Sequence, residues 1–532
     1  MCTFFRAVGR LRMPTGRARL ARPTLALVLL AGAGLAFTSG CTSLGQWARQ
    51  CFKVGPDYQQ PPAPVADEWI DFESPEIVSE SSDYSNWWSV FGDPVLDRLI
   101  QKASRQNLTL QSAGMRILEA RARLAVARGN LFPQTQQAFG DFTRINGSTT
   151  VANVFPANDF DNWDAGFNAS WELDFWGRFR RAIESQEAIL NAEIENYDSV
   201  LVILQAEVAT AYIQYRTFQQ RLQWAKENVE LQKRTLEIVN VQFRNGRVTE
   251  LDVAQAKENL AATEALIPQL ESGLRQTANA LCVLMGEPPR DLTEELGEAP
   301  IPAPPDRIFV GIPAELLRRR PDVRRAERLA AAQCAAIGIA ESDLYPRIAI
   351  TGYIGLESEN LSSLFDSRSF IGAIGPGFRW NILNYGRIVN NVRANEAQFY
   401  KLVVDYQNTV LTAAREVEDA IVSYLKEKQR VQNLEESAKA AARAVELATT
   451  QYRQGKINFQ PVVYMQQLLA ARQDELAASR GAVDASAIAV YKALGGGWQA
   501  RFAGPEMPTE LAPAPAVNEN SNELVPPEPE AP

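Results

Sequence analysis

The sequence predicts a mostly α-helical protein with a smaller β component, laid out as two copies of one structural unit. Three observations predict it: motifs that recur at a fixed shift, two very long runs of heptad-spaced apolar residues, and a period-two segment directly before each run.

The repeat comes first. Trp171, Gly177 and Arg178 recur as Trp380, Gly386 and Arg387, a shift of 209 positions. The same shift carries Gln242, Phe243, Arg244, Gly246 and Val253 onto Gln451, Tyr452, Arg453, Gly455 and Val462, and Gly286 onto Gly495. Upstream the shift becomes 213, because Pro133 in Leu131-Phe132-Pro133 pairs with Pro346 in Leu344-Tyr345-Pro346. A hairpin loop absorbs the difference.

The long runs are helical. Ile194, Tyr197, Leu201, Leu204, Val208, Ala211, Tyr215, Phe218, Leu222, Ala225, Val229, Leu236, Val239 and Phe243 step by threes and fours, with Gln232 out of pattern. The second run steps from Val403 through Tyr406, Val410, Ala413, Val417, Ala420 and Tyr424 to Val445 and Tyr452, broken at Glu427. This is a heptad seam, which winds helices into a left-handed supercoil. Arg178 to Gln242 spans roughly 100 Å at about 1.5 Å per residue.

Before each run the period falls to two. Trp163, Ala165, Phe167, Ala169, Trp171 and Leu173 alternate with Asn162, Asp164, Gly166, Asn168, Ser170 and Glu172, the pattern of a strand with one lipid face and one wet face. In the second unit Phe370, Ile374, Phe378, Trp380 and Ile382 share a face, and weaker strands start after Pro133 and Pro346. A soluble hairpin packed on a helix is the alternative. No segment after Cys41 offers about 18 consecutive apolar residues, so any membrane span must be a β-barrel. Four strands cannot close a barrel around an aqueous lumen, and open edges are not tolerated in lipid, so the barrel must be shared between chains.

The ends read differently. Six arginines from Arg6 to Arg22 precede an uncharged stretch from Pro23 to Phe37, a secretion signal over 1–40. Thr38, Ser39 and Gly40 precede Cys41, small residues that resemble a lipoprotein lipobox, although Thr38 replaces the usual leucine. Ordinary signal cleavage without acylation is the alternative. The expected organisation is a lipidated linker over 41–90, a first unit over 91–286 with its hairpin near 134–174 and helices near 177–285, and a Pro-rich linker over 287–312. A second unit follows over 313–498, with its hairpin near 347–383 and helices near 387–494, and then a disordered tail over 499–532 rich in Pro and Glu.

Composition narrows function. The 532 residues contain no histidine, which removes histidine-based nucleophile systems and the commonest metal ligand. No phosphate loop or acidic metal motif appears, so neither catalysis nor a cofactor is expected. The net charge of −9 becomes −15 once the six signal arginines are set aside, which disfavours nucleic acid. The few scattered cysteines imply no disulfide framework.

The ordered motifs resemble the TolC-type outer-membrane factors, in particular their NodT-like lipoprotein branch. Val54-Gly55-Pro56-Asp57-Tyr58 is similar to that branch's mature start, and Trp88, Phe91, Asp93, Pro94, Leu96, Asn107 and Leu108 to its first helical segment. Arg319-Arg320-Pro321-Asp322-Val323 resembles the signature that opens its second repeat. The resemblance implies a homotrimer with twelve strands in the outer membrane, a helical tunnel through the periplasm and an equatorial belt. It also implies a periplasmic adaptor and an inner-membrane pump of the RND type as partners. Function would be that of a passive exit duct, with Cys41 as the lipidation site.

Phe243, Arg244 and Gly246, with Tyr452, Arg453 and Gly455, would form the periplasmic tip turns, either as helix caps alone or as adaptor contacts too. In some members acidic residues six and nine positions after the second tip glycine line the closed pore. Here those positions hold Pro461 and Tyr464, and only Asp252 retains an acid in the first unit. The expected constriction is therefore Asp252 and Tyr464, with Tyr452 bonding across the pore and Arg244 and Arg453 paired to Asp252. Tyr452 as a seam residue and Tyr464 facing solvent or adaptor is the alternative. A type I protein-secretion duct, a periplasmic adaptor and a secreted enzyme are the rival functions. Two hairpin-and-rod units count against the adaptor.

Overall fold

The computed structural model describes residues 44–80, 83–147 and 159–503. The signal, Cys41 and the chain beyond 503 lie outside the described residues. A short helix α1 (Leu44–Arg49) leads to α2 (Pro94–Gln106) and α3 (Leu108–Gly129), and then to strands β1 (Thr135–Asn146) and β2 (Asp159–Leu173). Helices α4 (Arg178–Arg244) and α5 (Glu250–Leu284) follow. The second half runs α6 (Pro321–Ser342), β3 (Arg347–Ser358), β4 (Phe370–Arg379), α7 (Arg387–Arg453) and α8 (Gln460–Ala493). Helices α4 and α7 are each 67 residues long, about 100 Å.

The four long strands form one antiparallel meander in the order β1-β2-β3-β4. The helices form a layer in which α4 packs against α3 and α5 on one side and α6 and α8 on the other, and α7 closes the far side against α6 and α8. Among the described residues the sheet therefore has free edges at β1 and β4, and the layer has free edges at α3–α5 and α7.

The heptad reading holds at the level of burial: Leu201, Leu204, Val208, Tyr215, Val229 and Val239 are buried on α4, and Tyr406, Val410, Val417 and Tyr424 on α7. Gln232 is also buried in the seam, with neither amide atom hydrogen-bonded.

The main core sits at mid-height, where the segments before α2 and after α5 wrap the rods. Trp69 donates to the Gly311 carbonyl and Tyr84 to that of Phe309, and residues 77–78 pair in parallel with 308–309. Arg216, fully buried, donates to the Leu296 and Gly297 carbonyls and holds this belt against α4.

Two boundaries differ from expectation. Strand β4 stops at Arg379, because residues 381–385 form a bend whose Tyr385 has a positive φ of 51°. The chain also stays folded through a short 3-10 helix, Trp498–Ala503, where a disordered tail was expected from 499. Trp498 lies under Arg324, 4.3 Å from the guanidinium to the ring, and Arg501 pairs with the buried Asp198 at 2.8 Å.

Candidate functional site

The sheet sorts its residues by chemistry. Register places Phe142 beside Trp163, Ala138 beside Phe167 and Ile354, and Leu356 beside Phe370, so these side chains share one face with Trp171, Ile350, Ile374 and Phe378. That face is exposed: Ile374 is 83% accessible, and Phe167, Phe370 and Phe378 are each more than half exposed. The opposite face carries Asp141, Asp164 and Glu357 in one row across three strands, with Asn162 donating to Glu357 at 3.1 Å. An exposed apolar face backed by a polar one is the signature of a sheet between lipid and water.

At the helical end of the sheet two indoles mark the boundary. Trp171 donates to the Leu131 carbonyl at 3.0 Å and Trp380 to that of Leu344 at 2.9 Å. Each indole N–H is satisfied at the end of the sheet where the helices begin, a placement favoured for tryptophan at a membrane interface.

Each lower helix is stacked under an upper one and stitched to it. At the α5–α3 joint, Asn107 accepts from the Leu110 N–H and donates to the Leu284 carbonyl, both at 2.9 Å. At the α8–α6 joint, Arg320 donates to the Ala493 carbonyl at 2.9 Å, chelates Asp322 and pairs with Glu416 on α7 at 2.7 Å. Pro321 opens α6 at the position where a missing N–H costs nothing. The Arg-Pro-Asp motif is thus a helix joint.

The tip turns are built by glycine. Gly246 and Gly455 have φ of 71° and 70°, and in each the following N–H reaches back to the helix: Arg247 to the Gln242 carbonyl and Lys456 to that of Gln451, both 3.0 Å. A Cβ at either glycine meets nothing within 4 Å, so conformation alone demands glycine there.

The expected constriction residues are not brought together. Tyr452 is 3% exposed and packs on Phe459 at 5.2 Å, in a tip core with Val239, Val253, Ala448 and Val462. Within its own chain it therefore occupies the buried seam position of the alternative reading. Among the described residues its hydroxyl has no partner, and burial, with the charge of Asp252, raises its pKa to about 12.

Asp252 accepts from the Thr249 N–H and hydroxyl, both 2.9 Å, in a capping box that starts α5. Among the described residues no ion pair joins it to Arg244 or Arg453, and Arg244 donates instead to the Asn240 carbonyl. Tyr464 is 56% exposed on α8 and Phe243 is partly exposed at the end of α4.

Sequence reasoning missed two buried acid sites. Asp484 on α8 is fully buried with neither oxygen partnered among the described residues, and burial pushes its pKa up to about 8. Asp198 on α4 is raised to about 7, chiefly by burial, although Arg501 and Arg324 pull it down.

A lipid-facing sheet carried on helical rods about 100 Å long defines a membrane channel subunit with a long extension beyond the bilayer. The family model described as "Outer membrane efflux protein" matches residues 99–287 and 312–496. The chain belongs to this family.

It is 30% identical over 441 residues to nodulation protein T of Rhizobium leguminosarum bv. trifolii, covering 80% of this chain and 90% of that protein. It is 30% identical over 424 residues to the pyoverdine export outer membrane protein OpmQ of Pseudomonas putida, covering 78% and 88%. Its fold is similar to the solved outer-membrane channel OprN, with a TM-score of 0.79 at 31% identity, covering 84% of this chain and 99% of that one. The protein is an outer-membrane efflux channel component.

Proposed function

We propose that three copies close a twelve-stranded barrel and a helical tunnel below it, forming the passive exit duct of a tripartite efflux assembly. The observation that carries the reading is the four-stranded sheet with an exposed apolar face and unpaired edges at β1 and β4. Lipid does not tolerate open edges, and β4 of one copy runs antiparallel to β1 of the next, so head-to-tail copies close a ring. Two copies supply only eight strands, and three supply twelve.

The helical layer supports the same closure. Leu411 and Val422 lie exposed on α7, whereas Val202 and Ile213, which occupy the corresponding places on α4, are buried inside the layer. On the other edge Leu108, Met115, Val126, Leu251 and Val283 are exposed on α3 and α5. Each bare edge suits the other.

A periplasmic adaptor engages the glycine tip turns in this reading, and an inner-membrane pump drives transport. The duct performs no chemistry of its own. Export of small molecules fits a relative named for pyoverdine export. Cys41 carries the lipid anchor, and a division into units over 91–286 and 313–498 is supported by the two separate stretches that match the family model, 99–287 and 312–496. Asp252 and Tyr464 remain the candidates for the constriction, now acting between copies.

Native mass spectrometry in detergent is expected to find three copies with a diacylglyceryl group on Cys41, and planar bilayers are expected to show a conducting pore. A conducting monomer overturns the architecture. An unmodified amino terminus removes the lipid anchor and leaves the barrel as the only one.

A further inference from the structure

Four bends join strands to helices at the membrane boundary, and two of them meet inside the chain. Trp176, in the bend from β2 to α4, stacks on Tyr345, in the bend from α6 to β3, with ring centroids 4.5 Å apart and planes 22° apart. Its indole N–H donates to the Pro346 carbonyl at 2.8 Å. This contact ties the first half of the chain to the second at the mouth of the sheet.

The other two bends lie at the free edges. The 209-position shift places Tyr385, in the bend from β4 to α7, where Trp176 stands in the first unit. The 213-position shift places Phe132 and Pro133, in the bend from α3 to β1, where Tyr345 and Pro346 stand in the second.

Both aromatic rings are bare. Tyr385 is 97% exposed and Phe132 is 68% exposed. Tyr385 also has a φ of 51°, in a backbone region that residues with a side chain enter only at a cost. Among the described residues its ring, 97% exposed, gains no burial that would offset that cost.

We propose that Tyr385 of one copy stacks on Phe132 of the next copy and donates its hydroxyl to that copy's Pro133 carbonyl. The inference rests on the head-to-tail ring proposed above and names the surface that seals it at the membrane boundary. The partner is a second copy of this chain. The edge strands put the two bends side by side, because the helical end of β4 lies beside the helical end of the next β1. Burial of two exposed rings against each other supplies the contact that the positive φ at Tyr385 prepares.

The test replaces the exposed Cys51 by serine and introduces Phe132→Cys and Tyr385→Cys together, treated in membranes with a short bismaleimide. The expected result is a covalent trimer from the double variant and none from either single variant. Native mass spectrometry runs in parallel. A trimer that fails to cross-link overturns this contact while leaving the ring intact, and cross-linking by one single variant overturns it in favour of a like-with-like interface. A wild-type protein that is not trimeric overturns the ring and the contact together. In otherwise unmodified protein, Tyr385→Ala is expected to lower the temperature at which the trimer dissociates in detergent, with Tyr385→Phe between it and wild type. No shift in the alanine variant also overturns the proposal.

Discussion

Replacing Asp484 by asparagine is expected to stabilise the protein, and the gain is expected to depend on pH. The side chain is fully buried on α8, neither oxygen has a hydrogen-bond partner, and burial pushes the pKa from 3.8 to about 8. At pH 7 the folded chain therefore holds a proton that the unfolded chain releases. The cost of taking it up grows by about 1.36 kcal/mol for each pH unit above the unfolded value, which gives roughly 4 kcal/mol at pH 7.

The sign follows from proton counts. The folded state binds more protons between the two pKa values, so the stability present below pH 4 is lost as pH rises towards 8. Asparagine keeps the shape and has no proton to bind. Chemical denaturation followed by circular dichroism, at pH 4.5 and at pH 8, compares the two proteins. A gain of several kcal/mol at pH 8 that shrinks to about 1 kcal/mol at pH 4.5 is expected, whereas a gain equal at both values, or a loss at pH 8, refutes the reasoning.

The tip supplies further expectations. Gly246→Ala and Gly455→Ala are each expected to cost about 1–2 kcal/mol through the positive φ alone. Gly286→Ala costs more, because its Cβ falls 2.4 Å from the Gln106 carbonyl oxygen, and thermal melts rank the three. Tyr452→Phe removes a buried hydroxyl that lacks a partner and is expected to be neutral or stabilising by about 1 kcal/mol, whereas Tyr452→Ala costs about 3–5 kcal/mol. A large loss in the phenylalanine variant would show that the hydroxyl is bonded between copies after all.

The parts of this fold that were legible in the sequence are those governed by a period. Alternation from Trp163 to Leu173 and threes-and-fours from Ile194 to Phe243 each follow from one repeating geometry, and their last residues fall at or next to the ends of the observed strand and helix. The bend after Arg379 broke the pattern, since Ile382 kept the strand period while the backbone turned at Tyr385.

Tyr452 was legible twice, as a heptad position and as a ring near a pore, and packing on Phe459 decided for the first. Thr249-x-x-Asp252 is a helix-start signal in plain sight, and within the chain that acid forms the capping box. Asp198 was not legible, because its partners Arg324 and Arg501 lie far along the chain and no local pattern brings them together.

The two kinds of seam in the proposed ring are alike in design but unequal in support. Inside the chain, the Trp176–Tyr345 seam is backed by the strap that runs from α1 to Tyr58. Trp47 packs on Phe175 and Trp176, Arg180 donates to the Cys51 and Phe52 carbonyls, and Arg181 donates to those of Val54 and Gly55. Among the described residues the second half of the chain has no counterpart of the strap, so the seam at Tyr385 depends on the ring stack and its one hydroxyl bond. Local opening of a hydrogen-bonded segment is governed by the contacts that cover it. Amide exchange in the trimer is therefore expected to be faster over 381–390 than over 172–181, although both stretches join a strand to a 67-residue helix. Equal protection of the two bends would mean that the joint between copies is as well supported as the joint within one, and that the ring does not loosen first where its copies meet.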